Sequence, residues 1–186
     1  MSAFSRFTPL IRALPSTVPF VGPEAIERQR NLPVKARIGA NESGFGPAPS
    51  VLAAIRERAG ETWKYNDPEN YDLKQALAAH LGIRADNIAI GEGIDSLLGL
   101  IVRLVIDPGS VVVTSFGAYP TFNFHANGFG CRLVTVPYAG DREDLNALLD
   151  AVKREDATLV YFANPDNPTG SWWEADDIVA FARALP

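Results

Sequence analysis

Apolar positions along this chain change period repeatedly, and the changes divide it into alternating helices and strands. Residues 1–48 are rich in Pro and Gly and show little periodicity beyond a helix expected over Pro23–Arg30, so they predict an extended N-terminal arm. From Pro49 onward the pattern is regular. Val51, Leu52, Ile55 and Ala59 have helical spacing up to a stop at Gly60. Asp72 is placed to cap a helix through Leu73, Ala76, Leu77 and Leu81, closed by Gly82. Ile88-Ala89-Ile90 predicts a short strand, and Leu97, Leu98, Ile101, Val102 and Val105 mark one face of the next helix. Pro108-Gly109 turns the chain into the apolar strand 111–113, and a short helix over 120–127 leads to a strand over 132–136. Leu145, Leu148, Leu149 and Val152 give another helix face before Leu159-Val160-Tyr161-Phe162-Ala163, an unbroken run that predicts a strand covered on both faces. Ser171-Trp172-Trp173-Glu174 has the form of a capping box for a last helix through Ile178, Phe181, Ala182 and Leu185. Strands that alternate with helices predict an α/β fold of three layers, a mostly parallel sheet with helices on both faces.

Composition narrows the function classes. With 47% apolar residues in 186, the chain can bury a core. A net charge of −5 without a Lys/Arg run argues against nucleic acid as a partner. The apolar pieces at the N-terminus are interrupted by Arg6, Pro9, Arg12 and Pro15, which excludes a signal peptide and a membrane span there; the expected location is the cytoplasm. Cys131 is the only cysteine, so no intramolecular disulfide and no cysteine-based metal site is expected.

Candidate chemistry lies where strands end. Asn164-Pro165-Asp166-Asn167-Pro168-Thr169-Gly170 follows the 159–163 run, and its two Asn-Pro steps force a turning loop that presents Asn167 where α/β sheets bind ligands. Gly91-Glu92-Gly93-Ile94-Asp95-Ser96 joins a strand to a helix, whose first N–H groups and positive dipole end suit an anion. A dinucleotide fingerprint would need glycine at position 96 and an acidic residue about 20 positions on; Ser96 and the 111–115 strand supply neither. Tyr119, after the 111–113 strand, can stack on a flat heterocycle. An anion cradle, a stacking ring and a directed amide on one sheet edge fit a flat phosphorylated ring such as pyridoxal 5'-phosphate.

The heptapeptide resembles the Asn-Pro-x-Asn-Pro-Thr-Gly signature of fold-type I, pyridoxal-phosphate-dependent aminotransferases. The order of the other segments is similar to the histidinol-phosphate aminotransferase branch, through 18–23 (Val-Pro-Phe-Val-Gly-Pro), 40–47 (Ala-Asn-Glu-Ser-Gly-Phe-Gly-Pro) and Tyr65-x-Asp67-Pro68. The resemblance extends over essentially the whole chain but about half of such an enzyme. It implies that Ile94, Asp95 and Ser96 bind the cofactor phosphate, that Tyr119 stacks on the pyridine ring and that Asn167 donates to its phenolic oxygen. It implies further that Tyr65 reaches the cofactor phosphate of the other subunit in a homodimer, and that Phe20, Asn41 and Asn167 border the substrate, an amino donor or a 2-oxo acid. On this reading residues 1–48 are an arm with small-domain and dimer contacts, and 49–186 are part of the large cofactor-binding domain.

This sequence departs from the branch pattern at Phe20, where tyrosine is usual, at Ser96, where an acidic residue is common, and at Gly117-Ala118, where Pro-Thr is common. The resemblance also implies a lysine that carries the cofactor, an aspartate for the ring nitrogen and an arginine for the substrate carboxylate, all following the heptapeptide. Lys35, Lys64, Lys74 and Lys153 do not match that lysine. No catalytic residue is therefore expected within this chain, and the lysine is expected beyond Pro186. A decarboxylase or other lyase on the same cofactor, and a non-catalytic fragment, are the alternative readings.

Overall fold

The computed structural model describes residues 6–14, 21–38 and 41–186. They pack as two compact units: residues 91–186 with the described part of the first twenty, and residues 21–90.

The first unit is a three-stranded parallel sheet of order β2-β1-β3, formed by β1 (Val111–Ser115), β2 (Arg132–Val136) and β3 (Leu159–Tyr161). β1 lies in the centre, with Val113 opposite Val134 on one side and Val160 on the other. Because successive strand residues face opposite ways, Val112 and Val113 enter different cores. Val112 packs with Leu98, Val102, Phe122 and Ala126 from α5 (Gly93–Val105) and α6 (Pro120–Gly128). Val113 packs with Leu145, Leu148, Val152 and Phe181 from α7 (Leu145–Glu155) and α8 (Ala175–Ala184). This is the expected α/β sandwich with helices on both faces. Its largest fully buried side chain, Phe122, stacks on Tyr161 at 4.1 Å between ring centroids. Burial of a phenylalanine of this kind stabilises by about 1.5–3 kcal/mol. A short helix, α1 (Pro9–Ala13), is capped by the Thr8 hydroxyl, which accepts from the Ile11 N–H.

The unit of residues 21–90 holds α2 (Pro23–Arg30), α3 (Pro49–Arg58) and α4 (Tyr71–Leu81), and none of its described residues is buried.

Several boundaries differ from expectation, each for a physical reason. Ile88–Ile90 does not form a strand: a strand exists only through a hydrogen-bonded neighbour, and no described segment pairs with it. β3 ends at Tyr161, since beyond it the chain turns into the Asn-Pro loop; it packs on both faces yet stays half-buried because only one of its edges is paired among the described residues. α4 begins at Tyr71, not after Asp72. Asp67 stands in for a cap, its two carboxylate oxygens accepting from the N–H groups of Glu69 and Tyr71. Gly60 lies inside a 3-10 turn (Ala59–Glu61) that prolongs α3. The 171–174 capping box does not form: the Ser171 hydroxyl donates to the Asp141 carbonyl instead, and Glu174 precedes α8 without a side-chain cap bond.

Candidate functional site

Parallel pairing of β1 and β3 brings their carboxyl ends to one edge of the sheet, so 116–119 and 164–170 emerge side by side. The heptapeptide is held at both ends. Asn164 exchanges two hydrogen bonds with the backbone of Trp173, at 2.8 and 3.1 Å. Within the loop the Gly170 N–H donates to the Asp166 carbonyl (2.9 Å), and Gly170 takes the positive φ of 72° that favours glycine. Asp166, which the sequence marks only as the variable position of the signature, is buried. Its carboxylate accepts from the Tyr138 hydroxyl at 3.0 Å and from the Thr169 hydroxyl at 2.7 Å. The loop is thus built on an internal carboxylate, and Asn167 rides half-buried on it.

α5 begins at the same edge. Gly93 has φ +78°, which a side chain would strain, and a Cβ on Gly91 would come within 2.8 Å of Leu97. Helix geometry leaves the N–H groups of Ile94 and Asp95 without an intrahelical acceptor, and no side chain caps this end. Ile94 and Asp95 are exposed; Ser96 is half-buried and also borders a groove of about 450 Å³ that runs between α5 and α6 past Gly99, Arg103 and His125.

Tyr161 is the common neighbour of these segments. Burial, then the charges of Glu143, Asp166 and Asp95, then Tyr119, push its phenol above the ordinary value. Asp95 and Tyr119, read from separate motifs, thus both lie within electrostatic reach of one strand residue that the sequence marks only as apolar filling. The hydroxyls of Thr114 and Ser115, at the end of β1, are buried without a hydrogen-bond partner among the described residues. Buried polar groups of this kind are costly unless a ligand or water meets them.

A second missed residue is Glu143. It is only 1% exposed, although it sits in the charged run Asp141-Arg142-Glu143-Asp144 and so reads as a solvated turn. Burial pushes its carboxyl up to about 7; the Ala163 N–H opposes this, the Asp166 charge adds to it, and the nearby Ser115 hydroxyl opposes it. Burial and a hydrogen bond to Asp166 likewise push the Tyr138 phenol well above its ordinary range.

Tyr65 and Asn41 belong to the unit of residues 21–90, where both are exposed; Asn41 has φ +53°. Near it Arg37 donates to both oxygens of Glu42 and to Glu24, which holds the two carboxyls below their ordinary values. Phe20 lies outside the described residues. Among the described residues there is no cluster of metal-binding side chains and no helix long and apolar enough to cross a membrane.

Residues 34–186 match the aminotransferase class I and II family. The chain belongs to that family. It is 35% identical over 179 residues to histidinol-phosphate aminotransferase of Anaeromyxobacter sp. (strain Fw109-5), which covers 96% of this chain and 49% of the relative. It is 36% identical over 177 residues to histidinol-phosphate aminotransferase of Moorella thermoacetica, covering 94% of the chain and 46% of the relative. Among solved structures, histidinol-phosphate aminotransferase from Sinorhizobium meliloti in complex with pyridoxal-5'-phosphate superposes with a TM-score of 0.93 at 72% identity, over 100% of this chain and 49% of that one. The family expected from the heptapeptide is therefore borne out, and so is the α/β fold. The chain spans about half the length of the relatives it matches.

Proposed function

We propose that the complete protein is a pyridoxal-phosphate-dependent aminotransferase of the histidinol-phosphate type. The observation that carries this is the 72% identity, over the whole chain, to an enzyme of that name solved with this cofactor. The residues present fit the group. The uncapped start of α5, with glycine at 91 and 93, suits its phosphate through Ile94, Asp95 and Ser96. On this reading Tyr119 would stack on its ring and Asn167 would donate to its ring oxygen. When bound, the cofactor supplies the carbonyl and the electron sink that amino transfer requires.

This chain's own residues bind and orient. The loop stapled on Asp166 holds Asn167 fixed, so that its amide is aimed before cofactor arrives. Partial burial of Tyr161 within β3 limits water there and strengthens the polar interactions around it. The amino donor is histidinol phosphate or a related amine, and the acceptor is a 2-oxo acid such as 2-oxoglutarate. The working form is a cytoplasmic homodimer in which Tyr65 reaches the partner's cofactor phosphate and Asn41, with Phe20, borders the substrate. Residues 1–48 serve as arm and dimer contact, and 49–186 as part of the large domain. The lysine that carries the cofactor lies outside this chain.

The test uses the complete protein. It is expected to be yellow with cofactor, to be bleached irreversibly by borohydride, and to pass the amino group of histidinol phosphate to 2-oxoglutarate. Asn167→Ala is expected to lower kcat/KM by about tenfold to hundredfold, the value of a hydrogen bond to a charged group. A colourless protein that ignores added pyridoxal phosphate would remove the reading. Carbon dioxide release without amino transfer would replace it with a lyase.

A further inference from the structure

Glu143 has no role in the amino transfer proposed above, yet it contacts both ends of the loop that carries Asn167. Its Oε1 accepts from the N–H of Ala163, the last residue before the heptapeptide, at 3.5 Å. Its backbone carbonyl accepts from the indole Nε1 of Trp173, three residues past the heptapeptide, at 3.1 Å. Its Oε2 is buried and has no hydrogen-bond partner among the described residues. Among the described residues, the ionisable groups within electrostatic reach of it are Asp166 from the loop, Tyr138 from the segment after β2 and Tyr161 from β3, and none of these is a cation. The adjoining Arg142 is directed over the Trp173 ring, 4.9 Å from its centroid.

An ionised carboxylate here would have only the Ala163 N–H, at 3.5 Å, and the nearby Ser115 hydroxyl to offset its charge, away from water and beside the carboxylate of Asp166. Such a charge is strongly disfavoured, whereas a neutral acid leaves only a polar group to accommodate. Asp166 is the better served of the two, with Tyr138 and Thr169 donating to it. The proton therefore belongs on Glu143.

We propose that Glu143 works as the neutral acid, a positioning residue packed against the Asn167 loop, and that loss of its proton loosens the loop by setting a second buried negative charge beside Asp166. The consequence for the cofactor rests on the function proposed above; the coupling between proton and loop does not.

The experiment is amide hydrogen exchange on the complete protein, following the peptide that covers 163–173 in the parent and in Glu143→Gln. In the parent, exchange corrected for its intrinsic pH dependence is expected to speed up by about tenfold or more between about pH 5 and pH 7 and then level off. In Glu143→Gln, which keeps the shape of the neutral acid, it is expected to stay slow and flat. A parent loop indifferent to pH, or a Gln variant that follows the parent, would overturn the proposal. If Glu143→Gln fails to fold by circular dichroism, infrared spectra of the parent decide. A buried carboxylic-acid carbonyl band present at about pH 6 and gone by about pH 8 supports the proposal, and its absence at both overturns it. Visible absorption of the same samples reports cofactor separately, so a protein that binds none defeats the aminotransferase reading and leaves the exchange result standing.

Discussion

Residues 21–90 and 91–186 are both rich in amphipathic helix, but they place their apolar residues differently. In 91–186 the apolar faces of α5, α6, α7 and α8 close on the sheet, and every fully buried side chain among the described residues belongs to this segment. In 21–90, Val51, Leu52 and Ile55 follow the same helical spacing, yet each stays exposed on α3. Patterning alone therefore makes the helices, and a sheet to pack against makes the core. Ionisable groups divide in the same way. Glu24, Glu42 and Asp67 sit on the surface with donors that favour their charge, whereas Glu143 lies inside and is pushed toward its neutral form.

The largest expected effect is at Phe122. Phe122→Ala removes the ring stacked on Tyr161 and is expected to cost about 3–5 kcal/mol in urea denaturation. A loss under about 1 kcal/mol would show that this core is loosely packed and would erase the contrast.

Glu143 comes next. Its value of about 7 in the fold lies above the ordinary 4.5, so the unfolded chain releases this proton first. Its share of stability is complete below about pH 4.5, falls by about 3 kcal/mol as pH rises to about 7, and is level above. Glu143→Gln should lack that decline. The surface carboxylates work in the opposite sense: with lowered values, Glu24, Glu42 and Asp67 contribute above their ordinary range and lose that contribution as pH falls through it. Denaturation midpoints between pH 3 and pH 8 separate the two.

Legibility followed the range of the signal. β1, α5 and α7 were readable because one apolar face or one apolar run marks each of them locally. Ile88–Ile90 was not, since a strand is a property of two segments. The group of Tyr138, Glu143, Tyr161 and Asp166 is assembled from four separate stretches, and no local spacing links them. Glu143 was hidden further by its charged neighbours. Of the candidate site, Tyr119, Asn167 and the start of α5 came from strand-end reasoning and the resemblance together; the carboxylates beneath them needed the fold.

Asp144 offers a smaller test within the packed region. Its side chain caps α7 by accepting from the Ala147 N–H at 3.0 Å, so Asp144→Ala is expected to cost about 1 kcal/mol. The smallest effect is expected at Ile55, where Ile55→Ala in the 186-residue chain should change stability by less than about 0.5 kcal/mol. A loss above about 2 kcal/mol would show that this face is covered in solution and would end the comparison between the regions.

Trp173 gives the Asn167 loop an optical handle. Trp63 and Trp172 are 80% and 60% exposed, whereas Trp173 is half-buried, bonded through its indole N–H to Glu143 and overlain by Arg142. A soluble quencher such as iodide should silence the first two and spare the third. The residual emission then follows the clamp of the loop in real time, without any label.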